Sequence, residues 1–168
     1  PGDFGLRTTA PVHRALLDHL AARFMEQGWS TKRLVRYILL SATYQQSSQP
    51  DPRQLARDPD NLYLHHVPRR RLDFESMRDT LLMVAGRLDP RVGGLPVDIL
   101  SEPFTARRTV YAFVDRQNLP GVFRTFDFAT PDVSVPQRFH TTVPQQALFL
   151  MNSPFVIEQA RALAGRPE

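Results

Sequence analysis

The sequence predicts a mainly α, compact helical domain of four to six helices with a minor β element. Apolar residues recur at helical spacing in several segments, and polar stretches rich in Pro and Gly separate these segments. The hydrophobic share is 42% of 168 residues, which suffices for the core of one domain. We expect a single domain over residues 1–168. Its opening, Pro-Gly-Asp-Phe-Gly, is typical of the middle of a protein, so we expect a domain excised from a longer parent.

The first two helices are predicted from capping residues and apolar spacing. A hydroxyl of Thr8 or Thr9 can cap the first helix, and Gly28 suits its end. Ser30 is then placed to cap the second helix. Because so short a link joins them, we expect the two helices to pack together. Their apolar positions are Val12, Leu16, Leu20 and Phe24 in the first, and Leu34, Val35, Ile38 and Leu39 in the second.

The middle of the chain is predicted as a loop, a helix and a strand. Residues 45–60 are polar and rich in Pro, Ser and Asp, so they predict a loop with one helical turn near residues 53–57. A third helix is expected over residues 72–88, with Phe74, Met77 and Leu81 on its apolar face. Alternating β-branched and aromatic residues predict a strand over residues 109–114.

The last two helices meet near Asn152. Thr142 and Gln145 fit a capping box, and the apolar helix that follows, residues 146–151, is expected to be buried. Ser153 can cap a last helix that ends at Gly165. From periodicity we predict mostly buried side chains at Leu16, Leu20, Phe24, Ile38, Met77, Leu81, Leu148 and Leu150.

Composition restricts the classes of partner. The net charge of +4 comes from twenty arginines and one lysine, interleaved with 17 acidic residues. Because no basic stripe with stacking aromatics is visible, we do not expect nucleic-acid binding. No apolar run approaches the length that spans a bilayer. The chain has no cysteine, which excludes disulfides and haem attachment within it.

Short segments follow one another in a characteristic order along nearly the whole chain. They are Asp3-Phe4-Gly5, Gly28-Trp29-Ser30, Ser41-Ala42-Thr43-Tyr44, Pro68-Arg69-Arg70-Arg71-Leu72, Phe126-Asp127, Thr142-Val143-Pro144-Gln145-Gln146-Ala147-Leu148 and Asn152-Ser153-Pro154. In this order they resemble the planctomycete PSD-one domain (domain of unknown function fifteen-fifty-three), the C-terminal domain of planctomycete cytochrome c-linked proteins. The family's usual portion before Asp-Phe-Gly is expected to lie outside this sequence.

The resemblance implies a context and no known activity. It implies an exported parent that often carries a cytochrome c domain, and an extracytoplasmic location, periplasmic or at the cell surface. We expect no cofactor in this chain, and any haem c is expected elsewhere in the parent. The expected partners are other domains of the parent or an exported partner.

Arg71, Glu75 and Arg78 form the most conspicuous polar stripe, because a helical spacing places them along one edge of the third helix. One hypothesis is an anion or sugar-acid clamp, which makes the three residues ligand-binding candidates. The favoured hypothesis is a structural network that holds the helix against the C-terminal third, near Asp127 or Thr142.

A second group of polar residues lies between Asp127 and Asn152. Asp127, Arg138 and His140 are the catalytic candidates, because carboxylates and a histidine can serve acid–base hydrolysis. Asp132 belongs to the same group, and Asn152 is a further ligand-binding candidate. The alternative is that the loop carboxylates are solvated turn formers, since no nucleophile or phosphate-loop motif accompanies them.

The histidines do not predict a metal site. His65 and His66 are adjacent and lack the spacing of paired ligands, and no cysteine supports them. His13 is expected to satisfy backbone groups instead.

We therefore expect an accessory or interaction domain of an exported, cytochrome c-linked multidomain protein. The alternative is a polysaccharide-acting hydrolase or lyase with its site around Arg138 to Asn152. A concave pocket where Arg78, Asp127, Arg138 or His140 converge would favour the enzyme.

Overall fold

The protein is mainly helical, as predicted. Its structure is a computed structural model that describes residues 10–166. The described chain divides into two compact units, an N-terminal unit that ends at Arg70 and a C-terminal unit that begins at Arg71. The prediction of one domain over 1–168 stays a prediction. The helices of the described residues are α1 (Arg14–Glu26), α2 (Thr31–Leu39), α3 (Pro52–Arg57), α4 (Phe74–Val84), α5 (Gly121–Thr125), α6 (Pro144–Asn152) and α7 (Pro154–Ala164).

The N-terminal unit is built on the predicted pair of helices, α1 and α2, which contact each other. The link between them turns at Gly28, whose φ of 70° is the left-handed conformation that glycine adopts without strain. The Ser30 hydroxyl accepts the Arg33 N–H at 3.4 Å and caps α2 as expected. Thr8 and Thr9 lie outside the described residues, and α1 begins at Arg14 after His13.

The segment after α2 is a loop interrupted by one short helix, as predicted. Asp51 caps α3 by accepting the Arg53 N–H at 2.7 Å. The Asp58 carboxylate accepts the Leu62 N–H at 2.8 Å, and His13 hydrogen-bonds the Leu62 carbonyl at 2.8 Å. His13 therefore satisfies a backbone group, which is the structural role expected of it.

The C-terminal unit has a core of phenylalanines. Phe74 on α4 and Phe123 on α5 are almost fully buried, and their ring centroids lie 5.2 Å apart in an edge-to-face arrangement. Ile99 and Leu119 come from irregular segments and complete the buried cluster. The buried cluster is thus formed by α4, α5 and loops, Phe149 of α6 packs against it, and Phe155 of α7 is buried as well.

The predicted strand over residues 109–114 is wrong. Residues Thr109–Tyr111 form a turn of 3₁₀ helix, and the only pairing near it consists of isolated bridges, Val97 with Ala112 and Asp89 with Arg107, within the described residues. The Asp79 carboxylate accepts both the N–H and the hydroxyl of Thr109, at 2.7 and 2.8 Å. Because this backbone N–H is bound to α4, it is not available to an extended ladder.

The capping box at Thr142 and the burial of the helix after it are also wrong. Val143 occupies the N-cap position of α6, and no side chain caps this helix. Gln146 is its buried residue, whereas Leu148 and Met151 are 55% and 71% exposed. Apolar residues surround α6, but α7 covers only one side of the helix. The apolar residues on its other side therefore stay exposed.

The periodicity predicted the wrong core. Leu16, Ile38, Leu148 and Leu150 are exposed, and the other four predicted residues are half-buried. Helical spacing identifies an apolar face, but burial also requires a neighbouring element that covers it.

No helix of residues 10–166 is both long enough and apolar enough to cross a membrane.

Candidate ligand-binding cleft

The C-terminal unit contains a cleft of about 360 Å³ between α4, α6 and the segment 126–141. Its apolar wall includes Met77, Phe126, Phe139 and Leu150. Four of the sequence-predicted site residues line this α4–α6 cleft, namely Arg71, Asp127, Arg138 and His140. The structure therefore gathers the three catalytic candidates and one ligand-binding candidate around one cavity.

Arg138 and Glu75 form an ion pair beside the cleft. The Arg138 guanidinium donates to the two Glu75 carboxylate oxygens at 2.8 and 3.0 Å and lies over the Phe128 ring, 4.6 Å from its centroid. The hydrogen bond to Glu75 raises the pKa of Arg138. This pair joins α4 to the segment after α5, and it compensates the charge of Arg138 within the protein.

Asp127 holds the loop that carries the catalytic candidates. Its φ of 57° is left-handed, which is uncommon for a residue other than glycine. Its carboxylate accepts the Thr141 N–H at 2.7 Å and the Thr141 hydroxyl at 2.9 Å. Because both carboxylate oxygens accept hydrogen bonds from Thr141, Asp127 closes the loop that ends at this residue.

Arg71 connects the start of the C-terminal unit to α6. Its guanidinium donates to the side-chain oxygen of Gln146. The Gln146 amide in turn donates to the Thr125 carbonyl at 2.9 Å and the Thr141 carbonyl at 3.2 Å. Gln146 is 4% exposed, so this buried amide links three segments, and sequence reasoning missed it. The sequence feature that could have identified Gln146 is its position in a strongly apolar helix, because a buried amide needs hydrogen-bond partners.

Arg78 lies elsewhere and is 1% exposed. It donates to the carbonyls of Thr105 and Arg107 at 2.6 and 2.9 Å, and its guanidinium lies 4.9 Å from the centroid of the Phe155 ring. Burial lowers its pKa. Arg78 thus holds α4 to the 105–109 segment through two carbonyls and contacts α7 through the Phe155 ring.

The predicted stripe of Arg71, Glu75 and Arg78 is only partly continuous. Arg71 precedes α4, which begins at Phe74, so the helical spacing does not apply to it. As a result the three residues make three separate sets of contacts, to Gln146, to Arg138 and to the 105–109 carbonyls.

Asp73 is a cleft residue that sequence reasoning did not single out. It caps α4 by accepting the Ser76 N–H at 2.7 Å. Burial raises the pKa of Asp73, but the hydrogen bonds from Ser76 and the charges of Arg138 and His140 outweigh burial and leave the pKa below its ordinary value. The sequence feature that indicates this cap is an Asp directly before the apolar helix, since Asp is among the preferred N-cap residues.

The remaining candidates lie outside the cleft. Asn152 is the last residue of α6 and is exposed, and Asp132 lines a neighbouring cavity. His65 and His66 contact each other, with their Nδ1 atoms 3.2 Å apart. Across residues 10–166 no three His, Cys, Asp or Glu side chains are grouped as metal ligands would be.

Each carboxylate in or beside the cleft is engaged within the fold. Glu75 is paired with Arg138, Asp127 with Thr141, and Asp73 with the start of α4. A carboxyl group that acts as a general acid must be protonated near neutral pH, and the lowered pKa of Asp73 is the opposite condition.

The comparisons with known proteins identify the family of the chain. Neither a curated protein nor a solved structure matches the chain. Residues 1–168 match the family PSD1, described as protein of unknown function (DUF1553). The match covers the whole sequence, in agreement with the resemblance carried by its ordered segments. The chain therefore belongs to the PSD1 (DUF1553) family.

Proposed function

We propose that this chain is a non-catalytic accessory domain of an exported, cytochrome c-linked multidomain protein. In this proposal the outer face of α6 contacts another domain of the parent. The observation that carries it is the exposure of Leu148 and Met151, 55% and 71%, on a helix next to the cleft. Large apolar side chains grouped on one exposed helix face favour an interaction surface.

The exported, cytochrome-linked context rests on family resemblance, and the proposal places the domain outside the cytoplasm. The parent's other domains are the expected occupants of the α6 face, because the resemblance implies a multidomain protein. The engaged carboxylates of the cleft support an accessory role, since they hold the fold instead of serving a reaction.

Photo-crosslinking in the full-length parent tests the interface. A photoreactive phenylalanine analogue replaces Met151 on the α6 face or, as a control, the exposed Arg161 on α7. We expect the Met151 position, and not the Arg161 position, to cross-link to a peptide of another parent domain identified by mass spectrometry. Equal yields at both positions, or no inter-domain product at Met151, would contradict the proposed interface.

A polysaccharide-acting hydrolase or lyase is the second candidate. The observation in its favour is that Asp127, Arg138 and His140 line one cavity. The test is release of reducing or unsaturated chain ends from neutral and acidic polysaccharides. Under the accessory-domain proposal we expect no release. Release that disappears in both Asp127→Asn and His140→Ala would establish the enzyme instead, provided that both variants keep the parent's circular dichroism spectrum.

A further inference from the structure

A second cavity of about 390 Å³ adjoins the α4–α6 cleft. The two cavities share Asp127, Arg138 and Phe139 as lining residues. Together they form a groove with two lobes, which we call the Phe139 groove. A groove of this kind is longer than either lobe and therefore suits an extended ligand better than a small compact one.

Phe139 stands where the two lobes meet. Its side chain is 78% exposed, although the neighbouring Phe126 and Phe128 pack against the core. An exposed aromatic ring presents a flat apolar surface with a negative face. The polarised C–H groups on one face of a pyranose ring complement such a surface, so the position of Phe139 suits a sugar stacked between the lobes.

The lining of the groove carries four arginines and three aspartates, the latter being Asp73, Asp127 and Asp132. Arg71 lines one lobe, and Arg116 and Arg124 line the other. Among residues 10–166 none of these three arginines has a carboxylate oxygen within 4.0 Å. Arg138, by contrast, is already paired with Glu75. Within the fold Arg71 already donates to Gln146, and Arg116 donates to the Pro131 carbonyl at 3.2 Å. A guanidinium group has five N–H donors, so the remaining donors of the three arginines can bind anionic groups on both sides of Phe139.

The groove also contains groups that suit hydroxyls. Asp132, Gln117 and Thr130 line the second lobe and offer acceptors for O–H donors. An acidic peptide brings carboxylates but few hydroxyl donors, so it would leave these acceptors unmatched. A chain of sugar acids brings carboxylates for the arginines, hydroxyls for Asp132 and a ring face for Phe139.

We infer that the Phe139 groove binds a segment of acidic polysaccharide built from uronic acid residues. One sugar ring stacks on Phe139, and carboxylates on either side pair with Arg71 in one lobe and with Arg124 or Arg116 in the other. The bound chain is held and not cleaved. This inference goes beyond the proposed contact between domains, because it uses a different surface from the outer face of α6.

Calorimetry with defined probes tests the inference. The probes are tri-galacturonate, the neutral galactose trisaccharide, and penta-glutamate as the acidic peptide. We expect binding of tri-galacturonate that weakens as salt increases, because exposed ion pairs are screened. We expect penta-glutamate and the neutral trisaccharide to bind at least about tenfold more weakly, since each lacks one of the matching chemistries.

Two variants and a matched control locate the site. Phe139→Ala should weaken tri-galacturonate binding about tenfold, and Arg124→Gln about threefold to fivefold. Arg161→Gln is the control for Arg124→Gln, because each arginine lies in the last turn of its helix and is exposed. Phe139 and Arg124 are exposed, so neither substitution is expected to disturb folding.

Three outcomes would overturn the inference. The first is no binding of tri-galacturonate at low salt. The second is binding of penta-glutamate as tight as that of tri-galacturonate, which would indicate a peptide site. The third is an equal loss of tri-galacturonate affinity in Arg124→Gln and Arg161→Gln, which would indicate non-specific electrostatic attraction. None of these results bears on cross-linking from the α6 face, so the proposed function is tested separately.

Discussion

The two units of the chain differ in what they bury. In the described part of the N-terminal unit, residues 10–70, no side chain is fully buried. In residues 71–166 seven apolar side chains and four polar ones are buried, among them Phe74, Phe123 and Arg78. Both regions carry amphipathic helices, so the comparison teaches that an apolar stripe alone does not make a core.

The aromatic residues account for much of this difference. In the C-terminal unit the Phe123 ring lies 5.2 Å from Phe74 and 4.9 Å from Phe128, so several rings share one cluster. In the N-terminal unit Phe24 contacts Trp29 with centroids 5.3 Å apart, as an isolated pair. Rings that meet several other rings lose more water-accessible area than rings that meet one.

The largest expected effect comes from truncating one ring in each unit. Phe123→Ala should lower the free energy of unfolding by about 3–5 kcal/mol, because it opens a cavity in the buried cluster. Phe24→Ala should cost about 1–2 kcal/mol, since its ring is half-buried. Urea unfolding followed by circular dichroism and by the fluorescence of Trp29, the only tryptophan, measures both. Equal losses of stability in the two variants would contradict the difference in burial between the two units.

The next largest loss of stability is expected when a buried arginine, and not an exposed one, is replaced. Arg78→Ala should cost about 2–4 kcal/mol, because the Thr105 and Arg107 carbonyls lose their donors. Arg57→Ala, at an exposed position of α3, should cost about 0.5 kcal/mol or less. Arg78→Lys should recover only part of the loss, because an ammonium group cannot reproduce the planar fork.

Thermal melts of these three variants and the parent decide the point. Equal melting temperatures for the parent, Arg78→Ala and Arg57→Ala would contradict the structural role of Arg78.

A smaller difference in stability is expected between variants that lack the helix cap of one unit or the other. Asp73→Ala should cost about 1–2 kcal/mol, since its carboxylate accepts the Ser76 N–H at 2.7 Å. Ser30→Ala should cost about 0.5 kcal/mol, because the corresponding distance is 3.4 Å. Urea unfolding measures both, and a larger loss for Ser30→Ala would reverse the ranking.

Asp73 also predicts a pH dependence. Its folded pKa lies below the ordinary value of 3.8, so the stability that it contributes is present above that pH and is lost as the pH falls through the folded pKa. The difference in stability between the parent and Asp73→Asn should therefore shrink below pH 3.8. A difference that stays constant down to pH 2 would contradict this assignment.

The smallest effect is expected at the surface of α1. Arg14 and Asp18, four residues apart on α1, are separated by 3.9 Å and have side chains 84% and 72% exposed. Solvent screening makes such a pair nearly neutral, so Arg14→Ala should change the melting temperature by less than about 1 °C. A loss comparable to that of Asp73→Ala would show that the N-terminal unit depends on surface charge.

The sequence alone predicted much of the helical framework and part of the cleft. It located the turn at Gly28, the Ser30 cap, the short helix near residues 53–57 and the stop at Gly165. It also selected Arg71, Asp127, Arg138 and His140, which line one cavity. Local signals of this kind act within about one helical turn, so no tertiary information is needed to interpret them.

Burial and pairing were decided by tertiary structure. Whether Leu148 is covered depends on which elements pack against α6, and no local pattern contains that information. The partners of Arg78 lie about thirty residues away in irregular backbone, where sequence spacing specifies no geometry. Asp79 turned a β-prone segment into a 3₁₀ turn by binding Thr109, because a long-range hydrogen bond outweighed a weak local propensity.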